Sequence, residues 1–190
     1  GRVLIPTAAR DIAITGVDAS EAMLSRLRTK LPGADVRMGD MRHFDARRKY
    51  ALVTIPFRPI AHVIEAQDHV PLFANMRRHL APKGRLVFDY FHPKLSMLAA
   101  PQPEKLAIDR VEGGKRIRRY WSAVPRVARQ VNEVPLRWEI EDERGRIEHE
   151  ESSFEMRWFH RFELEHLLAR AGLEVEALYG DFDRSPLSDG

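Results

Sequence analysis

Four short apolar runs, each closed by an acid or a turn signal, with helical patterns after the first and the third, limit what this chain can fold into. The first, Ile12-Ala13-Ile14-Thr15-Gly16-Val17, ends in Asp18. A helical pattern follows, with Ser20 as its cap and Met23, Leu24, Leu27 and Leu31 along it, until Pro32-Gly33 stops it. Asp35 to Met38 is the second run, closed by Gly39-Asp40, and Ala51 to Ile55 is the third, closed by Pro56. A helix is predicted from about Asp68 through Leu72, Phe73, Met76 and Leu80. Pro82-Lys83-Gly84 then turns the chain into Arg85 to Phe91. Strands alternating with helices predict an α/β fold whose mostly parallel sheet is covered on both faces.

After His92-Pro93 the pattern changes. Residues 94–110 read as irregular, with Pro101 and Pro103, and 113–159 alternate with a period of two. Val134, Leu136, Trp138 and Ile140 face one way there, and Glu133, Arg137, Glu139 and Glu141 the other. Asp142-Glu143-Arg144-Gly145 reads as a hairpin turn, with Phe154, Met156 and Trp158 on the returning strand. A helix over Phe162 to Ala171, a glycine cap at Gly172 and a strand over Leu173 to Tyr179 follow. The expected organisation is an α/β domain of residues 1–92 plus 160–190, with an antiparallel β meander inserted at 93–159 as a lid or wall.

Composition removes several function classes. Among 190 residues there is no cysteine, which excludes disulfides, thiolate metal sites and a cysteine nucleophile, and agrees with a reducing cytoplasm. No run of about 18 apolar residues is present, so no membrane span is expected. The eight histidines include no pair with helical zinc spacing, and no metal site is expected. Net charge is only +3. Arg110, Lys115, Arg116, Arg118, Arg119, Arg126 and Arg129 form a basic stretch, but the segments after it are acidic, so neighbouring antiparallel strands can pair the two signs. Nucleic acid is not expected as a partner.

Ligands of an open parallel sheet bind beyond the carboxyl ends of its strands, so the informative residues close each run. Asp18 can accept both hydroxyls of a ribose, or it can serve only the helix cap beside Ser20. Asp40, followed by the apolar Met41, can take an exocyclic amine with a flat base packed alongside, or it can be a solvated turn. Thr54-Ile55-Pro56-Phe57 offers an apolar floor.

Val17-Asp18-Ala19-Ser20-Glu21-Ala22-Met23-Leu24, Gly39-Asp40-Met41, Ala51-Leu52-Val53, Leu80-Ala81-Pro82-Lys83-Gly84-Arg85-Leu86 and Ala171-Gly172-Leu173, in this order, resemble the class I S-adenosylmethionine-dependent methyltransferases of small molecules. The resemblance implies a Rossmann-like fold and S-adenosylmethionine as cofactor. It implies that Asp18 holds the ribose, Asp40 the adenine amine, that Ala19 and Met41 flank the base, and that Ile55 and Pro56 lie near the methionine half. Gly1 matches the last glycine of the family's glycine-rich loop, so the first strand and earlier glycines are expected to be absent, as is a final strand after Gly180. Open strand edges would then invite a second copy, a homodimer.

Methyl transfer asks little of side chains, since the sulfonium is already activated and positioning supplies most of the rate. No general base is assigned. Arg58, His62, Tyr90 and His92 are the candidates for contact with a small-molecule substrate, and Phe57, Tyr90 or Trp121 for a cation–π contact with the sulfonium. Two rivals use the same features: a nicotinamide-dependent oxidoreductase with Asp18 on its ribose, and a non-catalytic binding module of the same fold.

Overall fold

The computed structural model describes residues 1–188. The chain forms two compact units, one of Gly1–Pro56, Gln67–Phe88 and the segment from Phe162 onward, the other of Phe57–Ala66 and Asp89–Arg161.

In the first unit a short helix α1 (Leu4–Ala8) precedes β1 (Gly16–Asp18), α2 (Glu21–Lys30), β2 (Val36–Met38), β3 (Tyr50–Ile55), α3 (His69–Arg78) and β4 (Leu80–Phe88). The strands pair in parallel as β1 with β2 and β3 with β4, and β1 and β3 share no ladder. The Ser20 hydroxyl accepts the Met23 N–H at 3.3 Å, capping α2 as its position predicts, and Arg28 and Lys30 sit at the electronegative end of that helix. Leu24 and Leu27 of α2, Leu72, Phe73 and Met76 of α3, and Ile55 at the end of β3 are buried in this unit's core. Phe73 meets the ring of Phe88 at 5.5 Å, tilted by 43°.

Several boundaries differ from the sequence expectation. Strand geometry begins at Gly16 rather than Ile12, because only three residues reach the partner β2. The run expected over 85–91 starts at Leu80 and stops at Phe88; a bulge between the pairs Tyr50↔Leu80 and Leu52↔Arg85 absorbs Pro82-Lys83-Gly84 inside the strand. Gly84 is required there, since a Cβ would lie 2.8 Å from the Tyr50 carbonyl oxygen. Leu173 to Tyr179 is not a strand: it joins no ladder, and Glu176 instead binds Arg85 through two side-chain hydrogen bonds of 2.7 and 2.9 Å.

The second unit is built on a four-stranded antiparallel sheet, β5 (Gln102–Glu112), β6 (Lys115–Arg126), β7 (Val131–Glu141) and β8 (Ile147–Arg157), in sequential order, with a one-turn helix α4 (Leu95–Leu98) before it. The meander therefore begins at 102, within the stretch expected to be irregular. Pro101 and Pro103 disguise β5, and as an edge strand it shows no apolar alternation. The period-two alternation expected along β7 holds. Register places Trp138 opposite Arg119, Leu136 opposite Trp121 and Val134 opposite Phe154 on one face, with Glu139 opposite Arg118 and Glu133 opposite Val124 on the other. The Gly145 N–H closes the hairpin turn on the Asp142 carbonyl at 2.9 Å.

The basic stretch is paired with acids as its order suggests. Arg116 meets Asp109, Arg118 meets Glu139 and Glu141, Arg126 meets Glu133, and Arg129 meets Glu155. Arg137 lies over the Tyr120 ring at 4.0 Å and binds both Glu104 and Glu139. Val131 at the start of β7 and Trp158 and Phe159 just after β8 are almost fully buried.

The first unit closes with α5 (Arg161–Arg170), whose Leu164 and Leu168 are buried. Gly172 ends it at φ +74°: its N–H donates to the Ala169 carbonyl and the Leu173 N–H to the Leu168 carbonyl, both at 2.9 Å. No helix among the described residues is long and apolar enough to cross a membrane.

Candidate functional site

Because β1 and β2 pair in parallel with Asp18 opposite Met38, their carboxyl ends lie side by side, and the Gly39 N–H extends the ladder to the Asp18 carbonyl at 3.0 Å. Two turns therefore leave the strand pair at the same end, each with an aspartate in it. Exposed Asp18 accepts the Ser20 N–H on Oδ1 at 2.8 Å, and among the described residues nothing donates to its Oδ2. Its two readings are thus compatible. One oxygen shapes the turn into α2, and acceptor capacity remains for a ligand. Ala19, next to it, is exposed.

Asp40 is held differently. Oδ1 accepts the Arg42 backbone N–H at 2.8 Å, Arg42 Nε lies 3.0 and 3.1 Å from the two oxygens, and Nη2 donates to Oδ2 at 2.6 Å. The remaining arm of the guanidinium, Nη1, reaches Asp68 Oδ2 at 2.6 Å. These hydrogen bonds from Arg42 favour the carboxylate and hold the Asp40 carboxyl at about 2, against an ordinary 3.8. The stabilisation is complete above the ordinary value and is lost as pH falls toward the folded one. An acid titration of the native chain against Asp40→Asn should show a stability difference that is constant above pH 3.8 and shrinks between there and about 2. A difference that does not change across that window would mean the clamp is not formed in solution.

The loop carrying Asp40 and Met41 is fastened to one face of α3. Asn75 Nδ2 donates to the Met41 carbonyl at 3.1 Å, and Arg78 Nη2 to the Phe44 carbonyl at 2.9 Å. The buried His79 ring accepts the Ala46 N–H on Nε2 at 3.1 Å, which assigns its proton to Nδ1 for donation to the Asn75 carbonyl at 2.8 Å. The Phe44 ring stacks on His79 at 4.5 Å. Positions 68, 75, 78 and 79 share a face at 3.6 residues per turn. Sequence reasoning found Asp40 and missed Arg42, Asp68, Asn75 and His79, although an acid and an arginine two residues apart across a strand-ending turn was a legible signal.

Of the other cofactor candidates, Met41 and Pro56 are half-buried and Ile55 is buried at the end of β3. Gly1 is exposed, and its carbonyl accepts the Ile5 N–H at 3.1 Å, opening α1.

The substrate candidates belong to the second unit. Phe57 and Arg58 are consecutive left-handed residues, φ +70° and +61°, and the Phe57 N–H donates to Asp89 Oδ1 at 2.7 Å. His62, exposed, lies 5.6 Å ring to ring from Phe154 on β8. Tyr90 and His92 meet edge to face at 6.4 Å, and His160 joins them at 6.0 Å from His92. No spacing in the sequence pointed to His160. Trp121 lies in the β6 ladder, half-buried.

Known proteins similar to this chain are methyltransferases. A methyltransferase-domain family model matches residues 1–84. The chain is 28% identical over 172 residues to the dTDP-3-amino-3,4,6-trideoxy-alpha-D-glucopyranose N,N-dimethyltransferase of Streptomyces venezuelae, covering 87% of this chain and 68% of that one. It is 26% identical over 173 residues to the dTDP-3-amino-3,6-dideoxy-alpha-D-glucopyranose N,N-dimethyltransferase of Streptomyces fradiae, covering 88% and 64%. Among solved structures it is similar to SAM-bound CalS10, an amino pentose methyltransferase from Micromonospora echinaspora, with a TM-score of 0.77, 26% identity and coverage of 95% and 74%. In sequence and in fold the chain is thus similar to S-adenosylmethionine-dependent methyltransferases.

Proposed function

We propose that the protein methylates the amino group of a nucleotide-linked amino sugar, with S-adenosylmethionine as methyl donor. The carrying observation is the pair Asp18 and Asp40, at the carboxyl ends of adjacent parallel strands, one exposed with acceptor capacity left and the other held by Arg42. In this reading Asp18 takes the ribose hydroxyls and Asp40 the adenine amine. Ala19 and Met41 bracket the base, and Gly1, Ile55 and Pro56 lie toward the methionine half. When bound, the cofactor supplies an activated methyl group. The chain's own task is to orient an amine whose lone pair is free, and Arg58, His62, Tyr90 and His92 are its proposed contacts.

Support for an amine acceptor comes from the two sugar N,N-dimethyltransferases, which are similar to this chain over most of its length. A cytoplasmic location belongs to the same proposal, on the cysteine-free composition. Incubation with S-adenosylmethionine and a dTDP-linked 3-amino sugar, read by mass spectrometry, should show one and then two added methyl groups. The same sugar with hydroxyl in place of amine should stay unchanged, and methylation of both would remove the amine from the proposal.

A further inference from the structure

The two faces of the β5–β8 sheet treat their charges in opposite ways. On the face of Arg118 and Glu139, cations and acids alternate from strand to strand, and Arg116, Arg118, Arg126 and Arg137 each meet an acid. The other face sorts its charges by strand. Directly opposed residues share a face, so Arg119 of β6 lines up with Trp138 of β7 and Glu150 of β8, and Ile117 with Ile140 and Glu148. On β5, Lys105 stands opposite Trp121, while Arg110, opposite Ile117, is paired along its own strand with Glu112. Among the described residues Lys105, Arg119, Glu148 and Glu150 have no ion-pair partner. They do not neutralise one another either. Arg119 and Glu150 lie two strand spacings apart, about 10 Å, and Arg119 rests instead on the Trp138 ring at 5.4 Å. Between the cations of β5 and β6 and the acids of β8 runs the apolar stripe Leu136, Trp138 and Ile140 of β7. It is incompletely covered, since this unit's core lies at the other end of the sheet, around buried Ala123, Val131 and Val134, and the stripe is only half-buried.

We infer that this face docks a second copy of the chain, sheet on sheet, about a two-fold axis running along the strands. A two-fold interface uses one patch twice, so the patch must be complementary to itself. Rotation about an axis along the strands reverses the strand order, which sets Glu148 and Glu150 of each copy across from the β5 and β6 cations of its partner. The same rotation covers both apolar stripes. An axis across the strands would set β5 on β5 and β8 on β8, like charge against like. An unrelated partner would have to supply both signs in mirrored order, whereas a second copy supplies them by symmetry. Affinity comes from the desolvated tryptophan and aliphatic side chains, and the flanking charges fix orientation.

Sedimentation velocity tests this on the full chain and on two reversed variants, Glu148→Lys/Glu150→Lys and Lys105→Glu/Arg119→Glu, with thermal unfolding as the check on the fold. The native chain should sediment as a dimer of twice its 21.9 kDa. Each reversal sets like charges across the interface at two symmetric places and should raise the dissociation constant by at least about 100-fold. An equimolar mixture of the two variants should dimerise again, to within about tenfold of the native constant, because each then offers the charges the other lacks. Lys105→Glu alone, exposed on an edge strand, replaces the second variant should Arg119→Glu fail to fold. A native chain that stays monomeric up to about 100 μM, a concentration at which even weak specific pairs associate, would overturn the inference and leave the face to a different partner. A dimer indifferent to both reversals would overturn it too, and would move the contact to another surface. Variants that dissociate but do not recover on mixing would refute the two-fold order of strands.

Discussion

Asp18→Ala should weaken S-adenosylhomocysteine binding by at least about 100-fold, since two charge-assisted hydrogen bonds to a ribose are worth about 1.5 to 3 kcal/mol each. The substitution also removes the acceptor of the Ser20 N–H, so part of the loss could come from a loosened start of α2. Asp18→Asn separates the two. Its amide oxygen still accepts from Ser20, but the charge and half of the acceptor capacity are gone. Calorimetry should find Asn close to Ala in affinity and close to the native chain in melting temperature. Native affinity in Asp18→Asn would confine Asp18 to the turn.

The second large effect concerns the β-rich unit. Replacing residues 102–157 by a short loop should abolish turnover on the proposed amino-sugar substrate while cofactor affinity stays within about threefold, less than 1 kcal/mol. The residues fastening the Asp18 and Asp40 turns are Ser20, Arg42, Asp68, Asn75, Arg78 and His79, and none lies in the removed segment. The segment 57–66 does depend on it, because His62 packs on Phe154 and Arg157 Nη1 donates to the Ile64 carbonyl at 3.3 Å. Removing β5 to β8 therefore unmoors Arg58 and His62. Loss of cofactor binding in parallel with turnover would show that the sheet supports the cofactor turns as well.

What the sequence disclosed, and what it hid, follows from which interactions are local. The Ser20 cap, the Gly172 stop and the Asp142 turn are decided within four or five residues, and all three are where the pattern puts them. Asp18, the last residue of β1, and Asp40, two residues past β2, were legible because the end of an apolar run marks where a strand stops. β5 was not, because an edge strand needs no apolar alternation and two prolines broke its outline. Leu173 to Tyr179 has a strand's composition but no ladder partner, and composition alone cannot supply one. Arg42 was passed over as one arginine among many; only coordinates reveal that its fork closes both on Asp40 and on Asp68, 26 residues further along the chain.

The fastening of residues 41–46 to α3 bears on how this part of the molecule breathes. The Ala46 amide is shielded by a histidine that is 2% exposed, on a helix whose other face carries Leu72, Phe73 and Met76 into the core. Exposing that amide to solvent means disturbing the helix, so the loop and α3 open as one cooperative unit. Amide hydrogens in the loop then exchange at a rate set by the core beneath α3, and a turn that would otherwise fluctuate freely inherits the lifetime of the hydrophobic interior.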